Sequence, residues 1–219
     1  LNVRYAMKAC PSAAIVRILN RLGLHIDASS DFEAHRAMQA GVPAEHIQIT
    51  AQQLPADLEE LVQQGVLFNA CSLAQLRRFG RLFKGGEVGV RFNPGLGSGH
   101  INRTNVGGPS ASFGIWHEYL DQVLEIQRQY ELNITRLHSH IGSGSDPEVW
   151  QRCARLTLDI AAQVPNAHTV NPGPGYMVGC MAGETSTELQ PGGPRVGAQV
   201  ERVQRERVRS VRWGMESGQ

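Results

Sequence analysis

From Val3 to Asn171 the chain alternates between two hydrophobic rhythms. Short runs rich in Val, Ile and Leu read as strands, and between them apolar residues recur every three or four positions, as on a helix face. The strands fall at Val3–Met7, Leu24–Ala28, Ile47–Thr50, Leu67–Ala70, Val88–Phe92, Ile134–His140 and Thr169–Asn171. Helices are predicted over Ser12–Leu22, Ser30–Ala40, Pro55–Gln64, Ser72–Phe83, Ile115–Tyr130 and Pro147–Val164, with Ser30 as an N-cap. A long Gly/Asn-rich loop, Asn93–Gly114, interrupts the series, and connections of that length are commonly functional.

Strict strand–helix alternation implies a parallel sheet with helical crossovers. Chemistry in such folds gathers at the carboxyl ends of the strands. Lys8, Asp27, Asn69, Arg91, His140 and Asn171 fall there on separate strands. So even a spread suits a TIM-type βα barrel better than an open sheet with one crevice. The pattern supplies about seven strands where a barrel needs eight, so the barrel is expected to be incomplete. After Leu189 the apolar rhythm fades into arginine, glycine and glutamine with a weak Val/Arg alternation. The expected organisation is a partial barrel over residues 1–189 and a disordered or non-native tail over 190–219. Leu1 lies inside the first strand, so the chain reads as one entered partway.

Composition changes this picture little. The 41% hydrophobic and 19% charged fractions are ordinary for a globular protein, and the net charge of +1 predicts no pull towards nucleic acid or an anionic membrane. No apolar run is long enough to span a bilayer. Cys10, Cys71, Cys153 and Cys180 are widely spaced, which suits reduced thiols and a cytoplasmic location.

Several residues could carry chemistry. Lys8 closes the first strand, and a lysine at a barrel mouth is either a Schiff-base nucleophile or simply a solvated strand end. His138 and His140 lie two apart and would share a strand face. They suit a zinc pair in a metal-dependent hydrolase, a stack against a planar cofactor, or plain core packing. Ile141-Gly142-Ser143-Gly144, ahead of a helix, favours a phosphate. Gly173 and Gly175 offer a second anion cradle, though turns need glycine anyway. Asp27, with Glu33 six residues on, either balances the lysine charge or serves as helix capping.

Taken together, six segments resemble the pyridoxal-phosphate-dependent diaminopimelate, ornithine and arginine decarboxylases of the alanine-racemase-like fold. They are Tyr5-Ala6-Met7-Lys8-Ala9, His25-Ile26-Asp27-Ala28-Ser29-Ser30, Val90-Arg91-Phe92-Asn93-Pro94-Gly95, Ser112-Phe113-Gly114-Ile115, His138-Ser139-His140-Ile141-Gly142-Ser143-Gly144 and Asn171-Pro172-Gly173-Pro174-Gly175. They run in family order across residues 1 to about 189, and the diaminopimelate branch looks closest. The resemblance implies that Lys8 bonds pyridoxal phosphate and His140 stacks on its ring. It implies too that Ser143, Gly173 and Gly175 hold the phosphate, while Asp27 and Arg91 line the site. The implied substrate is a small basic or dibasic amino acid, most of all meso-diaminopimelate, and a family-like homodimer is possible.

Departures accompany these matches. Pro174 stands within a loop that is usually all glycine, removing one N–H. Cys10 replaces the usual asparagine. The family's Glu-Pro-Gly-Arg segment and its C-terminal β domain are not found in the sequence. A non-catalytic pyridoxal-phosphate carrier, a metal-dependent barrel hydrolase and an inactive truncated relative are therefore the alternatives.

Overall fold

A computed structural model describes residues 2–96, 111–142, 147–173 and 212–216. The expected βα alternation is present. Strands β1 (Asn2–Ala6), β2 (His25–Ala28), β3 (Ile47–Thr50), β4 (Leu67–Ala70) and β5 (Glu87–Asn93) alternate with helices α1 (Ala13–Arg21), α2 (Asp31–Gln39), α3 (Leu58–Gln63) and α4 (Leu73–Leu82). A two-residue β6 (Ile115–Trp116) then precedes α5 (Leu120–Tyr130), β7 (Asn133–Ser139), α6 (Pro147–Ala161) and β8 (Thr169–Asn171). Where the helical rhythm predicts a helix from Ile115, the chain first pairs with β5 and then makes a 3-10 turn over His117–Tyr119. Ile115 is buried beside β5, so sheet pairing overrides the local periodicity there.

All pairings are parallel, and they run β1–β2–β3–β4–β5–β7–β8. The seven expected strands thus form the TIM-type α/β sheet. Of the expected tail, only residues 212–216 are described. Arg212–Glu216 forms β9, which pairs with β8 on one side and β1 on the other. With β4 bonded to β5, that insertion makes the sheet close on itself. The physical reason lies in the edges. Strands β1 and β8 each present unpaired N–H and C=O groups, and any segment able to extend satisfies both rows at once. The weak Val/Arg alternation precedes this strand, whose own residues are Arg-Trp-Gly-Met-Glu. Residues 190–211 and 217–219 lie outside the described residues.

Capping explains the helix starts. Ser30 Oγ accepts from Glu33 N at 3.2 Å, and Ser72 Oγ accepts from Gln75 N at 3.1 Å. Glu33 returns the favour, its carboxylate accepting from Ser29 N at 2.7 Å. Of its two expected roles, Glu33 therefore takes the capping one.

Strand alternation sorts the side chains by face. Ile26, Ile49, Phe68, Val90 and Leu137 belong to the buried apolar layer between strands and helices. Their neighbours Arg4, Asp27, Gln48, Thr50, Asn69, Arg91, Arg136, His138 and Asn171 are buried polar residues. The barrel interior is polar, whereas its outer jacket is aliphatic. An irregularity between Val88 and Gly89 on the β5–β7 ladder keeps Arg136 and His138 on the inner face. Helix α1 differs from its neighbours: Val16 is its one buried residue, and Ile18 and the C-cap Leu22 are 53% and 71% exposed.

Candidate functional site

The carboxyl ends of the strands form the mouth of the barrel. Strand β1 runs straight into a 3-10 turn, Met7–Ala9. Met7 is fully buried and anchors that turn, so Lys8 is carried out over the mouth and exposed. A cavity of about 700 Å³ opens beside it, lined among others by Lys8, Ser29, Thr50, Gln52, Arg91 and Phe113. That volume is within the range of small-molecule and cofactor pockets.

Arg91 also lines the cavity. It is buried on β5, its guanidinium lies 5.4 Å from the ring centroid of Phe113, and its Nε has no hydrogen-bond partner among the described residues. A buried donor without an acceptor is costly. Phe113 is itself held in place through its neighbour. Gln52 Nε2 donates to the Ser112 carbonyl at 3.0 Å, and Gln75 Nε2 donates to the Gln52 carbonyl at 2.9 Å.

Asp27 sits one layer lower, on β2. Its Oδ1 accepts from Thr50 Oγ1 at 2.9 Å and from Gln48 Nε2 at 3.1 Å. Asn69 Nδ2 donates to Thr50 Oγ1 at 3.2 Å. Thr50 links the two levels, since it also lines the cavity.

His138 is wholly buried, with its pKa pushed down to about 3, first by burial and then by the cation on Arg91; Asp27 opposes this. It is a neutral imidazole at ordinary pH. His140 is not its strand partner in the expected sense. Strand β7 ends at Ser139, so alternation stops before His140. The His140 imidazole is half-buried, its Nδ1 bonded to the Gly173 carbonyl at 3.1 Å. A carbonyl can only accept, so Nδ1 carries the proton. Among the described residues no group of three or more His, Cys, Asp or Glu side chains could hold a metal ion.

Gly173 has φ +47°, and a Cβ there would lie 2.1 Å from the Ser139 carbonyl oxygen. Glycine is required at this position. Its N–H already donates to Asn171 Oδ1 at 3.0 Å, so the amide expected to meet a phosphate is engaged within the loop. Ser143 and Gly175 lie outside the described residues. The structure therefore groups Lys8, Arg91 and, through Thr50, Asp27. It brings His140 and Gly173 together at the ends of β7 and β8. Thr50, Gln48 and Gln52 escaped sequence reading because polar residues at strand ends carry no periodic signal.

Comparison with known proteins bears directly on this arrangement. A family model described as "Pyridoxal-dependent decarboxylase, pyridoxal binding domain" matches residues 1–169. Diaminopimelate decarboxylase of Streptomyces coelicolor is 41% identical over 149 residues, covering 66% of this chain and 34% of that protein. The Escherichia coli K12 enzyme of the same name is 32% identical over 194 residues, 86% of this chain and 46% of the relative. Among solved structures, a diaminopimelate decarboxylase superimposes with a TM-score of 0.90 at 28% identity, covering 99% of this chain and 53% of that one. The Helicobacter pylori enzyme complexed with L-lysine shares the fold, with a TM-score of 0.84 at 20% identity over 99% of this chain and 56% of that one. The chain thus spans about half the length, or less, of the relatives it matches. No helix among the described residues is long and apolar enough to cross a membrane.

Proposed function

Because this chain belongs to the pyridoxal-dependent decarboxylase family, matched through the pyridoxal-binding domain, we propose that it binds pyridoxal phosphate through Lys8 and serves the decarboxylation of meso-diaminopimelate. The observation that carries the reading is that Lys8 and the buried Arg91 line one cavity of about 700 Å³. When bound, pyridoxal phosphate supplies an electron sink for the pair left on Cα as carbon dioxide departs.

The chain's own residues would hold and orient. Lys8 is the amine for covalent attachment. Arg91 brings a cation to the cavity wall, where it would meet an anionic group of the ligand. Phe113 covers the guanidinium and keeps water from its face. His140 would lie against the ring, kept in one orientation by its bond to Gly173. On the family resemblance, Ser143 and Gly175 would hold the phosphate. Gly173, its N–H already used, serves that end by fixing His140.

The test is direct. Protein incubated with pyridoxal phosphate and reduced with borohydride should carry one pyridoxyl group, mapped by peptide mass spectrometry to Lys8, and the Lys8→Ala variant should carry none. Equal labelling of both removes the assignment. Release of carbon dioxide from meso-diaminopimelate, in preference to ornithine, arginine and lysine, is the expected activity. Labelling at Lys8 without release from any of them would make the chain a cofactor carrier.

A further inference from the structure

Four buried polar side chains inside the barrel form a directed hydrogen-bond relay. Asn69 Nδ2 donates to Thr50 Oγ1 at 3.2 Å, Thr50 Oγ1 donates to Asp27 Oδ1 at 2.9 Å, and Gln48 Nε2 donates to the same Asp27 oxygen at 3.1 Å. A threonine hydroxyl has one proton. Since Asn69 and Gln48 both approach Thr50 Oγ1 as donors, the latter at 3.4 Å, its proton is directed at Asp27. The amide of Asn69 can reach Thr50 because Gly89 has no side chain: a Cβ there would lie 1.7 Å from Asn69 Oδ1.

We propose that Thr50 and Gln48 are positioning residues that keep Asp27 an oriented carboxylate beside Lys8. Two donors on one oxygen favour the charged carboxylate, because a proton on that oxygen would displace one of them. Asp27 pairs with Ala6 across β1–β2, two residues before Lys8. Charged groups reach this region from several elements: the neutral His138 on β7 feels Asp27 together with Arg91 on β5 and Arg4 on β1. On the α2 side, the acids Asp31 and Glu33 are engaged with the backbone N–H groups of Ala56 and Ser29, and Arg17 on α1 donates to the Ala40 carbonyl. An ionised Asp27 therefore sets a negative charge among these cations, on the strand paired with the one that leads into Lys8. The functional weight of this balance rests on the reading of Lys8 as the cofactor-binding amine, but the relay itself does not.

The experiment is a pH titration of the Asp27 side-chain carboxyl by 13C NMR in the full cofactor-free chain, assigned by loss of the signal in Asp27→Asn. Thr50→Val, nearly isosteric, removes one donor, Gln48→Met removes the other, and Thr50→Ser retains the hydroxyl. Losing one donor to a charged acceptor should raise the midpoint by about one to two pH units, a ten- to hundredfold change in proton affinity. Thr50→Ser should stay within about 0.3 units of wild type, since the hydroxyl remains. A Thr50→Val chain with native circular dichroism and an unchanged midpoint overturns the proposal. If Thr50→Val does not fold, Gln48→Met decides, and an unmoved midpoint there overturns it equally. Borohydride labelling of the wild type is read separately: its failure refutes Lys8 as the cofactor amine while leaving the titration to judge the relay.

Discussion

Replacing Gly89 with alanine probes how tightly the polar interior is fitted. Gly89 lies on β5 in extended backbone, so alanine is conformationally acceptable and gains roughly 0.4–1 kcal/mol from the unfolded state. The contacts oppose this strongly. The new Cβ would meet Asn69 Oδ1 at 1.7 Å, Asn69 Cγ at 2.8 Å and the Cβ of Arg136 at 3.3 Å. Asn69 is buried between strands, so it must leave Thr50 or push the ladder apart. Overpacking of this kind costs about 1–3 kcal/mol, and the lost hydrogen bond adds about 1 kcal/mol. The net expectation is a loss of about 2–3 kcal/mol, read as a lower midpoint in urea unfolding followed by circular dichroism. A double-mutant cycle isolates the cause. In an Asn69→Ala background the obstructing amide is gone, so adding Gly89→Ala should cost at least about 1 kcal/mol less than it does alone. Strict additivity, or a Gly89→Ala protein as stable as wild type, would refute the argument.

Two further outcomes follow from burial and charge. His138, held near pKa 3, and His25, pushed down to about 4 mainly by burial, refuse protons that the unfolded chain accepts below its ordinary 6.5. Stability should therefore fall as pH drops from about 6.5 towards 4, by up to a few kcal/mol from His138; urea midpoints that stay flat over this window would contradict it, and His138→Gln should flatten the slope. Among the three described thiols, half-buried Cys10 should react first with iodoacetamide, while Cys71 and Cys153 should react only once the chain is unfolded. Mass mapping that finds Cys153 modified in the native protein would show that α6 does not seal it against Ser139 and Thr157, the contacts the structure gives it.

Much of the site was legible as residue identity but not as arrangement. Lys8 and Arg91 stand at strand ends in the sequence, and both line the cavity. The pair His138 and His140 was misleading, because reading them as one face assumes the strand continues through position 140. It stops at Ser139; the His138 ring is buried, whereas the His140 ring is half-buried and bonded to Gly173. Gly173 was read, with Gly175, as one of two backbone amides that could cradle an anion. Its amide is instead taken by Asn171, a side-chain contact that spacing alone does not reveal.

Local chemistry determined the elements. The spacing of Ile26, Ile49, Phe68 and Val90 makes strands of their segments, and Ser30 and Ser72 start helices wherever the chain is folded, because capping and periodicity act within a few residues. Tertiary structure alone decided the rest. Only closure of the sheet tells which alternate face of each strand looks inward, and so gathers Asp27, Gln48, Thr50 and Asn69 into one network. Only the exposed hydrogen-bonding edges of β1 and β8 make a strand of Arg212–Glu216, a segment with little strand signal of its own. Both are long-range effects: the partners lie far apart in sequence, and the energy that selects them exists only once the ring has formed.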